Sequence, residues 1–203
     1  MVTEPVSKGA QTRRAILDAA IARFGRDGYR STSVADIARD ASVGNTVAFA
    51  YFANKEALFL DALDEDAAAV IHEGMSSVVA DPDLDAWRST LIYALVAAVE
   101  RHPLARRLLA GLEPDVTERV LEIPALAELR KVVADRLASE QLTGAVRTDI
   151  DPTAIANGFV AITLSLLMSL VQLGDGAAGP YADDVAAVFQ AAIDVPRVAR
   201  RTS

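Results

Sequence analysis

Residues Ser33 to Leu58 read SVADIARDASVGNTVAFAYFANKEAL, two short apolar stripes either side of a tight turn. Val34, Ile37, Ala38 and Ala41 fall on one face of a helix. Ser33 opens that helix with Asp36 three residues on, a capping-box spacing that ties up otherwise unpaired backbone donors. Gly44 starts a second helix from Asn45 to Tyr51, and Asn54 caps a long third one from Lys55 to about Val79. The stretch is a helix-turn-helix.

The rest of the chain is helical outward from that point. Ile16, Leu17, Ala20, Ile21 and Phe24 make a stripe from Thr12 to Arg26, with Gly28 as a left-handed stop. Beyond a break at Asp81-Pro82-Asp83, Leu84, Trp87, Leu91, Leu95 and Ala98 mark a helix that ends near His102-Pro103. A short helix from Leu104 to Leu112 precedes a break at Glu113-Pro114-Asp115. Leu126, Leu129, Val133 and Leu137 form another stripe, closed by Gly144. Two final helices run Pro152 to Leu173 and Tyr181 to Ile193, joined by a flexible connector, Gly174 to Pro180. The expected fold is all-α with about nine helices. Residues 1–54 are expected to form a head, 55–195 a larger body and 196–203 a flexible tail.

Charge is unevenly spread. The 203 residues carry a net −8, which argues against a nucleic-acid partner until the chain is divided. Residues 1–60 hold eight Lys and Arg against six Asp and Glu, a net +2, and the remainder holds −10. Charges screen over about 8 Å at physiological salt, so the local surface outweighs the total. With no Cys, disulfides and thiolate metal sites are excluded, and no cofactor or metal is expected. Met1 to Gln11 contains Glu4 and Lys8 and no apolar run, the pattern of a chain without a signal peptide, so a cytoplasmic location is expected.

Ala154 to Leu173 carries no charge, and about 20 apolar residues can span a bilayer. Asn157, Thr163, Ser165, Ser169 and Gln172 interrupt it, and neither flank carries Lys, Arg or Trp anchors. A helix apolar all round is equally one buried all round, by its own core and a second subunit. The expectation is a homodimer through helices 152–173 and 181–193, the latter presenting Val185, Val188, Phe189, Ala192 and Ile193, and no membrane.

The run Ser42-Val43-Gly44-Asn45-Thr46-Val47-Ala48-Phe49-Ala50-Tyr51-Phe52, followed by Asn54-Lys55-Glu56, resembles the recognition segment of the TetR family of transcriptional regulators. The likeness is strong from Thr12 to about Leu63 and beyond it rests on helix pattern and length. It implies a three-helix DNA-binding head on a helical effector domain, a double-stranded DNA operator, a small-molecule effector and a homodimer. Helix-turn-helix proteins set the recognition helix against base edges in the major groove. Asn45 and Thr46 are therefore base-contact candidates, Asn being able to pair bidentately with adenine, and Ala50 and the Val47 methyls can meet a thymine methyl. Phe49, Tyr51, Lys55 and Ser33 complete the expected interface, Tyr51 and Lys55 as phosphate contacts. Arg13, Arg14 and Arg30 are secondary backbone-contact candidates. Val43 and Phe52 are expected to lock the helix into its core.

Three positions depart from the family pattern. Phe49 stands where Tyr is usual, Ser42 where the turn usually has Gly, and Val47 where a small hydroxyl residue is usual. The lost hydroxyl is worth about 0.5–1.5 kcal/mol. These departures keep open a second reading, a helical interaction or membrane-associated protein whose DNA-binding head no longer functions.

In the body, His72, Met75, Trp87, Tyr93, His102, Phe159, Thr163 and Met168 are the candidates to line an effector pocket. Ala-, Leu- and Val-rich helices favour an apolar effector. With two His, no Cys, no Gly-rich loop after a strand and no nucleophile elbow, an enzyme is not expected. Asp149 and Asp151 precede a helix and are read as capping. The expected function is a transcriptional repressor released from its operator by that effector.

Overall fold

The computed structural model describes residues 7–79, 87–174 and 181–195. Among them are nine α-helices and one 3-10 helix: α1 (Lys8–Ser31), α2 (Val34–Asp40), α3 (Asn45–Tyr51), α4 (Lys55–Val79), α5 (Trp87–Val99), α6 (Pro103–Leu109), the 3-10 helix (Pro114–Glu122), α7 (Pro124–Thr143), α8 (Pro152–Leu173) and α9 (Tyr181–Ile193). No strand occurs among the described residues. The all-α expectation holds. The break at residues 81–83, the connector from 175 to 180 and the tail from 196 lie outside the described residues.

Three boundaries move, each for a local reason. α1 begins a turn earlier than Thr12 because the Ser7 hydroxyl accepts from the Ala10 amide at 3.2 Å. α6 ends at Leu109 rather than Leu112, since Gly111 adopts φ 70°. The break expected at Glu113-Pro114-Asp115 falls at residues 110–113. Pro114 sits at the first position of the 3-10 helix, where its fixed φ suits a helix start and its missing N–H costs nothing.

The chain packs as two compact units, residues 1–72 with 97–123 and residues 73–96 with 124–203. In the first, Ile16, Leu17, Ala20 and Phe24 of α1 meet Ile37, Ala38, Ala48, Leu58, Phe59 and Leu63 in one core. Phe24 and Phe59 meet edge to face at 5.0 Å, and Tyr29 meets Phe59 at the same distance. Each such ring pair adds about 0.5–1.5 kcal/mol beyond its burial. α6 packs directly on α1: a β-carbon at Gly25 would stand 2.7 Å from the Pro103 β-carbon and 2.9 Å from its carbonyl carbon. α1 breaks at Gly28, with φ 81° and ψ 168°, and the Arg107 guanidinium and Glu113 carboxylate occupy the space a side chain there would need.

In the second unit, Leu91 and Leu95 of α5, Leu129, Val133 and Leu137 of α7, Phe159 and Val160 of α8 and Phe189 and Ile193 of α9 form the core. Phe159 meets Phe189 at 4.7 Å and lies 6.2 Å from Trp87. α8 starts on an Asp151 cap, its carboxylate accepting from the Thr153 amide at 2.9 Å, as expected of that residue. With a mean hydropathy of 2.0, α8 is long and apolar enough by composition to cross a membrane, and it packs on α7 and α9.

Candidate nucleic-acid interface

The turn between α2 and α3 fixes how α3 is presented. The Ser42 amide bonds to the Arg39 carbonyl at 3.0 Å, and the Val43 amide to the Ala38 carbonyl at 2.9 Å. This is the paired closure of a Schellman motif, and it requires a left-handed residue. Ser42 takes that conformation at φ 57° in place of the family's glycine. An L residue there costs about 1–2 kcal/mol. The turn keeps its geometry in spite of that cost. Ser33 caps α2 as its spacing predicts, accepting from the Asp36 amide at 3.1 Å and donating to the Asp36 carboxylate at 2.7 Å. The Ser33 hydroxyl and then Arg39 hold that carboxyl below the ordinary range.

α3 divides into an inner and an outer face. Ala48 and the capping residue Phe52, four positions apart, are buried in the head. Val43 is half-buried beside the turn. At about 100° per residue, Thr46, Val47 and Ala50 lie opposite that inner face. All three are exposed, as is Asn45 at the first turn. Phe49 and Tyr51 flank them, 46% and 38% exposed. α3 carries no charged residue.

The cations of the head are engaged elsewhere. Arg13 pairs with Asp61 at 2.6 Å and stacks over Phe52, Arg14 pairs with Asp18 and Glu65, and Arg30 pairs with Asp115. Arg23 pairs with Asp40 at 2.7 Å, a hydrogen-bonded contact that lowers the Asp40 carboxyl's pKa. Arg39 pairs with Asp36 at 2.7 Å. The Lys55 ammonium stands 4.3 Å from the centre of the Tyr29 ring. Surface pairs are worth about 0–1 kcal/mol, so a phosphate can compete for these groups.

The eight effector-pocket candidates are divided between the two units. His72 and His102 belong to the first unit and the other six to the second. Trp87 and Phe159 do share a cavity of about 10 Å³, room for the centre of one water, with Val133, Leu137, Phe189 and Ile193 among its walls. Tyr93 is exposed and donates to Asp183, which pushes its phenol pKa up. Thr163 is buried, its hydroxyl without a partner. Met75 and Met168 are half-buried. His102 precedes α6, as its place before Pro103 suggests, and its Nδ1 lies 2.8 Å from the Asp66 carboxylate.

Two buried carboxylates were not foreseen. Asp66 on α4 accepts from the Leu104 and Ala105 amides, both at 2.9 Å, and so caps α6 from another helix. Glu140 on α7 accepts from the Trp87 indole at 2.8 Å, Arg88 at 2.5 Å and Arg136 at 3.2 Å. Burial lowers the Arg88 pKa despite that partner. A signal existed for both. Asp66 falls in step with Ala62, Leu63, Ala67 and Val70, and Glu140 three places after Leu137 on the α7 stripe. A carboxylate on an apolar stripe announces a buried partner.

Residues 16–62 match the sequence family described as bacterial regulatory proteins, tetR family. No curated protein is similar enough to the chain to match it. Among solved structures, the TetR-family transcriptional regulator from Cytophaga hutchinsonii superimposes with a TM-score of 0.76 at 20% identity, covering 96% of this chain and all (100%) of that one. FadR from Thermus thermophilus, a TetR-family repressor solved with lauroyl-CoA, gives 0.66 at 20% identity over 94% and 99%. The fatty acid degradation regulator FadR from Bacillus halodurans gives 0.69 at 17% over 92% and 96%. The segment from 16 to 62 is thus a TetR-family helix-turn-helix, and the chain that carries it has the fold of the TetR-family transcriptional regulators.

Proposed function

We propose that the protein is a homodimeric transcriptional repressor that binds a double-stranded operator through α3 and is released by a small apolar effector. The presentation of α3 carries this reading: Ala48 and Phe52 anchor it, while Asn45, Thr46, Val47 and Ala50 stand clear of the head. Such a helix can enter a groove about 12 Å wide without unfolding anything. Tyr51, Lys55 and Ser33 are assigned to the DNA backbone, and Phe49 to the same interface without a hydrogen bond. The head is residues 1–54, and the effector and dimer functions belong to 55–195.

The dimer is assigned to α8 and α9. Ile162, Tyr181 and Val188 are exposed there and, with Asp184, Val185 and Phe189, line an open groove of about 160 Å³. Paired heads must match half-sites about 34–36 Å apart. Lys55–Val79 makes α4 the element through which effector occupancy changes that separation, by differential affinity for the two arrangements. The apolar effector is assigned to residues 55–195 and the cytoplasm is the expected compartment. Two structurally similar regulators are named for fatty acid degradation or hold an acyl-CoA, which supports a ligand-responsive role.

Selection of double-stranded fragments against the purified protein tests the reading. A specific fragment retained over competitor DNA, with affinity falling as salt rises, is the expected result. Binding no tighter to any fragment than to competitor would refute it. The apolar character of α8 favours one rival, a membrane-associated chain with a silent head. Dependence on detergent for solubility would support that rival.

A further inference from the structure

We propose that α3 reads its operator chiefly through thymine 5-methyl groups, so that the half-sites carry thymines where Thr46, Val47 and Ala50 meet the major groove. The proposal rests on the operator-binding reading above and specifies its substrate.

The outward groups on α3 include the Thr46 γ-methyl and hydroxyl, the two Val47 γ-methyls and the Ala50 β-methyl, with the Asn45 amide and the Phe49 and Tyr51 rings alongside. Val47 is 40% exposed. Thr46, Val47 and Ala50 sit on the side of the helix away from Ala48 and Phe52, so they are what a groove meets first. None carries a charge, and α3 supplies no Lys or Arg for bidentate contact with the guanine O6 and N7 acceptors. The six arginines between residues 7 and 60 all lie on α1 and α2, off the recognition helix, and each pairs with a carboxylate.

Base-pair chemistry then selects the partner. In the major groove thymine alone among the four DNA bases presents a methyl group. A valine or alanine methyl set against guanine O6 or cytosine N4 would strip water from a polar group and leave it without a partner. Against thymine the same side chain buries apolar surface on apolar surface. Thymine is therefore favoured twice, by contact made and by penalty avoided.

The experiment begins with double-stranded oligonucleotides selected from a random pool by the full-length protein. In the best-bound duplex, thymines of the half-sites are replaced by deoxyuridine, which removes the methyl and keeps every Watson–Crick contact. Each buried methyl lost weakens binding about fourfold. Replacement throughout both half-sites is expected to reduce affinity at least about tenfold. The same replacement in the flanks is expected to leave it unchanged. Val47→Ala, at an exposed position that preserves folding, should shrink the deoxyuridine penalty.

Binding of the deoxyuridine duplex within twofold of the parent, or selection of half-sites made of G·C pairs, would overturn the proposal and leave operator binding intact. Failure to select any duplex would overturn operator binding, and the proposal with it.

Discussion

The outer face of α3 and the face shared by α8 and α9 are both exposed and both apolar, but they are built from different groups. On α3 the centre of the face is Thr46, Val47 and Ala50, with the Asn45 amide next to them and the exposed Phe49 and Tyr51 rings at its flanks. On α8 and α9 the exposed side chains are Ile162, Tyr181 and Val188, around a shallow groove. Contiguous apolar surface marks a place where something docks. Small methyls beside an amide suit the floor of a DNA groove, where donors, acceptors and methyls alternate. A groove walled by Ile162, Val185, Val188 and Phe189 suits another protein surface of the same make. Exposure says that a surface lacks its partner; side-chain size and polar neighbours say what the partner is.

The comparison can be broken or sharpened by mutation. Glu140→Ala touches neither face but leaves Arg88 and Arg136 without their buried carboxylate. It is expected to cost about 3–5 kcal/mol of stability in denaturant titration. Val188→Glu, at a side chain 62% exposed on the single chain, should leave protomer stability, compared at dilutions where both proteins are monomeric, within about 0.5 kcal/mol. Sedimentation should show it monomeric, and operator affinity should fall about 100-fold as the second head is lost. Thermal unfolding as damaged by Val188→Glu as by Glu140→Ala would mean that this face is core, and the comparison fails.

Asn45→Ala is expected to weaken operator binding by about 1–3 kcal/mol and relax selectivity at one base pair, with sedimentation unchanged. A change of assembly state on that substitution would tie the two faces together and blur the distinction. Ser42→Gly has the smallest effect. Relief at φ 57° is partly offset by the freer unfolded chain, so stability should rise by up to about 1 kcal/mol with operator affinity unaltered.

The helices around the turn were legible because each carried its own punctuation. Ser33, Gly44 and Asn54 start α2, α3 and α4 where the sequence places them, and Asn54 accepts from the Ala57 amide at 2.8 Å. Apolar stripes told which side of α1 and α2 is buried, and the family pattern pointed to Phe52 in the core but not to Ala48. The left-handed turn residue was legible too, from its place in the family pattern. What the sequence concealed is pairing at long range. Nothing near Asp66 in the chain says that its carboxylate meets the amides of Leu104 and Ala105, because backbone donors leave no mark on side-chain pattern. The same applies to Glu140, whose partners Trp87 and Arg88 lie on α5. The effector candidates were chosen by residue type, and type alone does not bring His102 and Phe159 into one unit.

The central claim is that α3 enters duplex DNA twice per assembly. A stoichiometric anisotropy titration of a selected, labelled duplex at concentrations far above its dissociation constant tests it most directly. The account predicts a break at two chains per duplex and loss of that break for Val188→Glu. Saturation at one chain per duplex, or no saturable binding at all, would contradict it.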